Sequence, residues 1–378
     1  TGFAINNTSG ANPAVSLNQS FALQNTLTLT TGILDGSGTL TLGNGTFSTL
    51  TGLVTNGTIP LGGLTMAYNL NDATYNLTYN NSTAPYNSGG ELPVIAATAP
   101  LAGTLTFANN QGVTLSNDVC FFSTTINSLA GNIFHLNGNT LKVTGNFANN
   151  AVTVNTMGLN ASVAGSKLLF ESANPQTFTT GNQTFAGVPN GPDVEVNNSN
   201  AVSGLNLSST NAYINHLTIN TSKYFQYTGN SNLFVSGNIT NNGLLFIPGA
   251  NTTTNLIFNG TAAQTISGTG IWAQTGTNAG NGRFTNFTIN NSSGATPAVI
   301  LNQNIALQNS LYLQLGQLGG SGTLTYGQGV GTFLMTRTAG SMNAAFNPSF
   351  AGLTNTIFNV NYGNSLAPLT ITTGDEIP

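Results

Sequence analysis

The sequence predicts an all-β fold: a parallel, right-handed β-helix or solenoid built from tandem modules of roughly 90 residues. An array of β-sandwich modules is the alternative architecture. Three observations point there. Charged residues make up 4% of the 378 residues, against about 25% in an ordinary soluble domain, so long solvated helices lack the Glu, Lys and Arg they rely on. Short apolar alternations broken by Gly and Asn run through the chain. The chain also repeats itself.

The alternation comes first. Thr26 to Thr30 (TLTLT), Thr39 to Leu42 (TLTL), Thr104 to Phe107 and Thr323 to Thr325 change character at every residue. That period puts Leu or Phe on one face of a strand and Thr on the other. Asn-Gly pairs at Asn44, Asn56, Asn137, Asn190, Asn242, Asn259 and Asn281 punctuate these runs; they are expected to supply the positive-φ positions of tight turns.

The repeats come next. The stretch from Thr1, TGFAINNTSGANPAVSLNQSFALQNTLTLT, aligns without a gap with TNFTINNSSGATPAVILNQNIALQNSLYLQ from Thr285. Over the aligned stretch roughly two-thirds of positions are identical, far above what shared composition produces. The match resumes with YNLTYNNSTAPYNSGGELP from Tyr75 against FNVNYGNSLAPLTITTGDEIP from Phe358. Weaker copies lie between. An opening strand that ends in Asn-Asn recurs at Asn6, Asn109, Asn197 and Asn290, and a closing pattern recurs at Leu168 and Leu256. The modules are therefore placed at 1–93, 94–187, 188–284 and 285–378. They abut without Pro-rich or charged linkers, which favours one continuous solenoid with coils of roughly 20 to 25 residues, each rising about 4.8 Å. Open coil ends are adhesive strand edges, so a longer parent array is expected.

Composition excludes several functions. Five basic against nine acidic residues, a net charge of −4, leave no basic stripe for nucleic acid. No apolar run of about 18 residues exists for membrane insertion, and the opening TGFAINNTSG lacks the regions of a signal peptide. The single cysteine, Cys120, permits no internal disulfide; a buried thiol is expected, with a partner-linking thiol as the alternative.

The series NFTINNSSG and VILNQNIALQNSLYLQLGQLGGSGTLTYG from Asn286, with TTGDEIP at Thr372, resembles the repeats of very large secreted surface proteins of Bacteroidota-type bacteria. Among these are gliding-adhesin-like proteins exported by the type IX secretion pathway. The resemblance covers all four modules, strongly only the first and fourth. It implies an extracellular fibre or adhesin stalk without enzymatic chemistry. The terminal sorting domain of such cargo is not in this sequence.

The residues themselves offer little catalytic material. Asp193 and Glu195 (PDVEV) lie two apart on a strand and share a face, a spacing that suits a solvated strand face, a Ca²⁺ site or a carboxylate pair. Glu91 and the Asp375–Glu376 pair recur at module ends, as a turn or junction feature or as cation bridges. His135 and His216 are isolated, and Lys142, Lys167, Lys223, Arg283 and Arg337 stand singly, so no nucleophile, base and orienting acid converge. No cofactor, no metal and no enzyme activity are expected. Tyr68, Tyr75, Tyr79 and Tyr86 cluster, and aromatic faces flanked by Asn and Thr can hold sugars. Tyr79 is matched by Tyr362 and Tyr75 by Phe358, as core positions would be. Tyr68 and Tyr86 lack aromatic counterparts and are the candidate glycan contacts. Sequons such as those at Asn56, Asn238 and Asn259 are common in so Asn- and Thr-rich a chain.

The expected function is structural and adhesive: a rod-like stalk of a long extracellular, cell-surface protein or fibre, self-associating or packing on neighbouring repeats. Surface glycans are the other expected partner class. A carbohydrate-binding array is the first alternative. An ice-binding β-helix and a polysaccharide-acting enzyme are lesser ones, the former because the Thr-x-Thr pairs at Thr26, Thr39 and Thr104 follow no constant spacing.

Overall fold

A computed structural model describes residues 2–45, 48–126, 133–150, 158–179, 191–209, 211–228, 232–247, 255–273, 283–327, 331–346 and 348–363. The described residues are almost entirely β-strand; a 3-10 turn at Ala351–Asn355 is their sole helix. The fold is a parallel β-solenoid. Its contacts divide into two compact units, Thr1–Ser172 with Gln176–Gln183, and Ala173–Pro175 with Thr184–Pro378.

Each coil contributes up to three short strands. In the first unit one coil runs Thr104–Phe107, Val113–Thr114 and Val119–Phe121, and the next runs Ser123–Ile126, Phe134–His135 and Thr140–Val143. Each strand of the first of these coils pairs parallel with its counterpart in the next, as Leu105 does with Thr124, Val113 with Phe134, and Val119 with Leu141. The second unit repeats this with Leu217–Ile219, Tyr224–Tyr227 and Asn232–Val235. An antiparallel bridge, Val94 to Val119, stands out among the described residues.

The alternation does what the sequence requires of it. Leu27, Leu29, Leu40, Leu42, Leu105 and Leu324 are fully buried, while the threonines between them face outward. Each fully buried Leu or Phe contributes about 1.5–3 kcal/mol of transfer free energy. Aromatic rings continue that interior along the coil axis. Tyr79 stacks on Phe107 at 5.5 Å with an interplanar angle of 1°, and Phe107 on Phe134 at 3.9 Å.

Corners depart from expectation. Of the Asn-Gly pairs, Asn137 (φ 55°) and Gly138 (φ 80°) form the tight turn expected, and Gly45 takes φ 76°. Asn56 and Gly57 instead lie inside the strand Ser48–Thr58, and Gly243 and Gly260 have ordinary φ. At these positions the missing side chain matters more than φ. A Cβ on Gly243 would lie 2.2 Å from the Lys223 carbonyl oxygen of the preceding coil. Asn190 and Asn281 lie outside the described residues.

Most corners are made by asparagine. Asn7, Asn109, Asn198 and Asn291 each accept the backbone N–H two residues ahead at 2.7 to 2.9 Å, an Asx turn. Two of them also reach the coil before: the Asn198 and Asn291 amides donate to the Asn174 and Ala262 carbonyls at 2.8 Å. The second residue of the Asn-Asn signature is therefore both turn and junction at these two corners.

The weak middle copies share a second junction. Buried Gln176 donates to the Val143 and Gly145 carbonyls at 2.8 and 2.7 Å, and Gln264 repeats those distances to Val235 and Gly237. Hydrogen bonds between coils join residues 18 to 36 apart in sequence, as Leu17 to Asp35 and Asn302 to Ile266, so coil length varies more than the expected 20 to 25. Corners absorb the difference while strand register is kept.

Candidate functional site

Five places hold groups with chemical potential, and the first is a buried acid. The strand Ala73–Tyr79 points Tyr75, Leu77 and Tyr79 inward. Just past the short strand Tyr86–Asn87, Glu91 enters the same interior at 0% exposure. Its Oε1 accepts the Tyr79 hydroxyl at 2.7 Å and the Gly89 N–H at 2.8 Å, while the Tyr75 hydroxyl donates to the Glu91 carbonyl at 2.9 Å. Oε2 is buried without a partner. Burial raises the Glu91 pKa above the ordinary carboxylate value, and the bonds from Tyr79 and Gly89 oppose it without prevailing. A neutral acid whose carbonyl oxygen takes two donors fits this arrangement. Glu91 is thus the interior staple of a chain excursion. Sequence reasoning placed it at a junction but missed its burial; the signal was a lone acid following Gly-Gly, twelve residues after a tyrosine. Asp375 and Glu376 lie outside the described residues.

The candidate glycan contacts separate. Tyr86 is 4% exposed, packs at 5.3 Å on Tyr79 and donates to the Gly57 carbonyl at 3.0 Å. Its ring is part of the core and is not presented to a sugar. The reason is tertiary: the first unit fills this stretch of its interior with tyrosines whose hydroxyls all find internal acceptors. Tyr68 is half-buried and donates to the Gly90 carbonyl at 3.1 Å. It lines a groove of about 420 Å³ whose other walls include Pro60, Leu61, Met66 and Ala97. Burial is the main cause that raises its pKa. Beneath it Cys120 is buried, its Sγ 3.3 Å from the Ala97 carbonyl, and burial pushes the thiol up to about 11. That is an unreactive thiol at neutral pH.

The paired acids of the strand Asp193–Val196 do face outward together, with Val194 and Val196 inward. Each is taken up by the next coil. Asp193 accepts the Asn215 amide at 2.8 Å and Glu195 the Asn220 amide at 3.1 Å. Among the described residues no three His, Cys, Asp or Glu side chains come together as metal ligands. His216 Nδ1 accepts the Asn238 N–H at 2.8 Å, and burial lowers the His135 pKa. Lys142 pairs with Glu171 at 3.7 Å. Arg337 is buried and donates to the Gly340 carbonyl at 2.8 Å. The sequon residues Asn56 and Asn238 spend their amide oxygens on the backbone N–H of Thr83 and Thr265 one coil on.

In the second unit a groove of about 390 Å³ opens where Gly243 and Gly270 leave corners bare. Thr221, Lys223, Tyr224, Asn242 and Leu244 are among the residues that line it.

The fifth place is the outward face of the first unit's main sheet. Register sets Thr28 beside Leu53, then Thr78, Thr106, Thr125, Ala148 and Thr179, one per coil. A second column two residues upstream runs Thr26, Thr51 and Asn76, whose Oδ1 accepts the Thr104 N–H at 3.1 Å, and Thr104 pairs with Ser123. Thr-x-Thr pairs with unequal sequence spacing are thus brought into line.

No protein-family model, curated protein or solved structure matches the chain. No helix among the described residues is long and apolar enough to cross a membrane.

Proposed function

We propose that this chain is a structural, adhesive segment of an extracellular surface protein, a stalk whose length is set by the number of coils. The observation that carries the reading is the coil-to-coil junction. Buried amides of Gln176, Asn198, Gln264 and Asn291 clamp one coil to the carbonyls of the coil before it, so each coil is a template for its successor and copying modules extends the core. The outward ladders are hydroxyls and amides with few charges, which lets two such faces approach without repulsion. The resemblance to repetitive Bacteroidota adhesins supports the same reading, including the type IX export route and a cell-surface location.

Sedimentation velocity combined with small-angle scattering tests it. The expected result is an elongated particle that associates with rising concentration. Association should change little between low and high salt, because few charges are available to screen. A compact monomer at every concentration would overturn the proposal.

A further inference from the structure

The aligned threonine columns of the first unit carry an inference beyond the stalk and independent of it. We infer that this face adsorbs to ice.

Sequence spacing alone argued against an array, because successive Thr-x-Thr pairs are separated by different numbers of residues. Parallel pairing removes that objection. Thr28, Thr78, Thr106, Thr125 and Thr179 occupy one column because corners, not strands, take up the difference in coil length. Across the sheet the repeat is the interstrand distance of roughly 4.8 Å, and along each strand Thr to Thr it is roughly 6.6 Å, twice the rise per residue. Both lie near the oxygen repeats of a hexagonal ice surface.

The groups on this face are available. Among the described residues the hydroxyls of Thr26, Thr28, Thr51, Thr78, Thr106 and Thr125 have no protein partner. Each places a hydroxyl that can hold a water beside a methyl that orders water around it. Leu53, 39% exposed, and Ala148 extend the methyl part and interrupt the hydroxyl part. Charge, which binds disordered water strongly, is missing from both columns. Asn76 and Ser123 keep the second column polar and neutral while tying it to the backbone of the next coil. The ladder is therefore fixed in position before it meets a surface, which spares the entropy of ordering it.

The test is partitioning of the whole chain into slowly growing ice, with thermal hysteresis as a second readout. The wild type is expected to enter the ice. Thr78→Lys and Thr106→Lys, which plant long charged side chains in the middle of the column, should be excluded to the level of a carrier protein while keeping the wild-type circular dichroism and melting curve. Thr218→Lys, outward on a strand of the second unit, should partition as the wild type does. Thr106→Val, which is β-branched like Thr, adds no charge and keeps one methyl in place, should retain most of the effect. Exclusion of the wild type from ice would overturn the inference. So would equal partitioning of Thr106→Lys, or capture on crystalline cellulose without ice entry. None of these outcomes bears on self-association, so the stalk reading survives or fails separately.

Discussion

The first and fourth modules share most of their opening sequence, yet their side chains live in different surroundings. Local geometry is the same in both. Asn7 and Asn291 each accept the N–H two residues on at 2.9 Å, and Ser9 and Ser293 each accept theirs at 3.2 Å. Gly10 and Gly294 both take φ 71°. Burial differs. Phe3, Val15 and Leu17 are half-exposed, whereas their counterparts Phe287, Val299 and Leu301 are 1%, 0% and 0% exposed. The strand Phe3–Asn6 pairs on one side, with Thr26–Asp35. The matching strand Arg283–Asn290 pairs on both, with Asn255–Phe258 behind it and Ile305–Leu315 ahead. Phe258 and Trp272 then cover Phe287 at 5.5 and 5.7 Å. Identical residues draw their turns from themselves and their burial from the neighbouring coil.

The comparison breaks most visibly at the phenylalanines. Phe287→Ala removes a buried ring and should cost about 3–5 kcal/mol, read by urea unfolding through Trp272, the one tryptophan. Phe3→Ala should cost well under half of that, since its ring is already partly in water. Equal losses would mean that the fourth module gains nothing from the coil behind it.

Asparagine gives the next largest contrast. The Asn291 amide donates to the Ala262 carbonyl and to Gln264 Oε1 at 2.8 and 2.9 Å, whereas Asn7 donates back into its own loop, to the Ala14 carbonyl. Asn291→Ala should cost about 1–3 kcal/mol by stranding buried acceptors. Asn7→Ala, in a half-exposed loop, should cost about 1 kcal/mol or less.

Glu91 sharpens the comparison through pH. Its folded pKa is raised by burial, so the stability it contributes is complete below the ordinary carboxylate pKa and is lost as pH rises through the folded value. The melting temperature of the first unit should therefore fall from acid toward alkaline pH in the wild type. Glu91→Gln keeps the shape and the acceptor oxygen and should flatten that slope, with little change at the acid end. A slope that survives the substitution would place its origin elsewhere.

How much of this was legible depends on how far each feature reaches along the chain. The inward leucines of TLTLT and TLTL were legible because alternation is a property of adjacent residues. Tyr75 and Tyr79 were legible as core from their counterparts in the fourth module. Tyr86 and Glu91 were not, since each is buried by residues brought from other coils: Gly57 to one hydroxyl, Tyr79 to one carboxyl. The Asn-Gly pairs misled because glycine answers two demands, positive φ and close approach, and only the coil behind Gly243 reveals which one applies.

Sequence by itself determined that the chain is all-β, that its strands are short and one-faced, and that its opening and closing modules are copies. Those follow from periods of two and from self-similarity, both of which are readable in one dimension. Tertiary structure alone decided the register. Unequal stretches of chain close into stacked coils because parallel backbone pairing fixes strands against strands and leaves the corners to take up the remainder. That choice is what lines up threonines from five coils, buries Glu91 among tyrosines and hides Phe287, none of which any local stretch of sequence encodes.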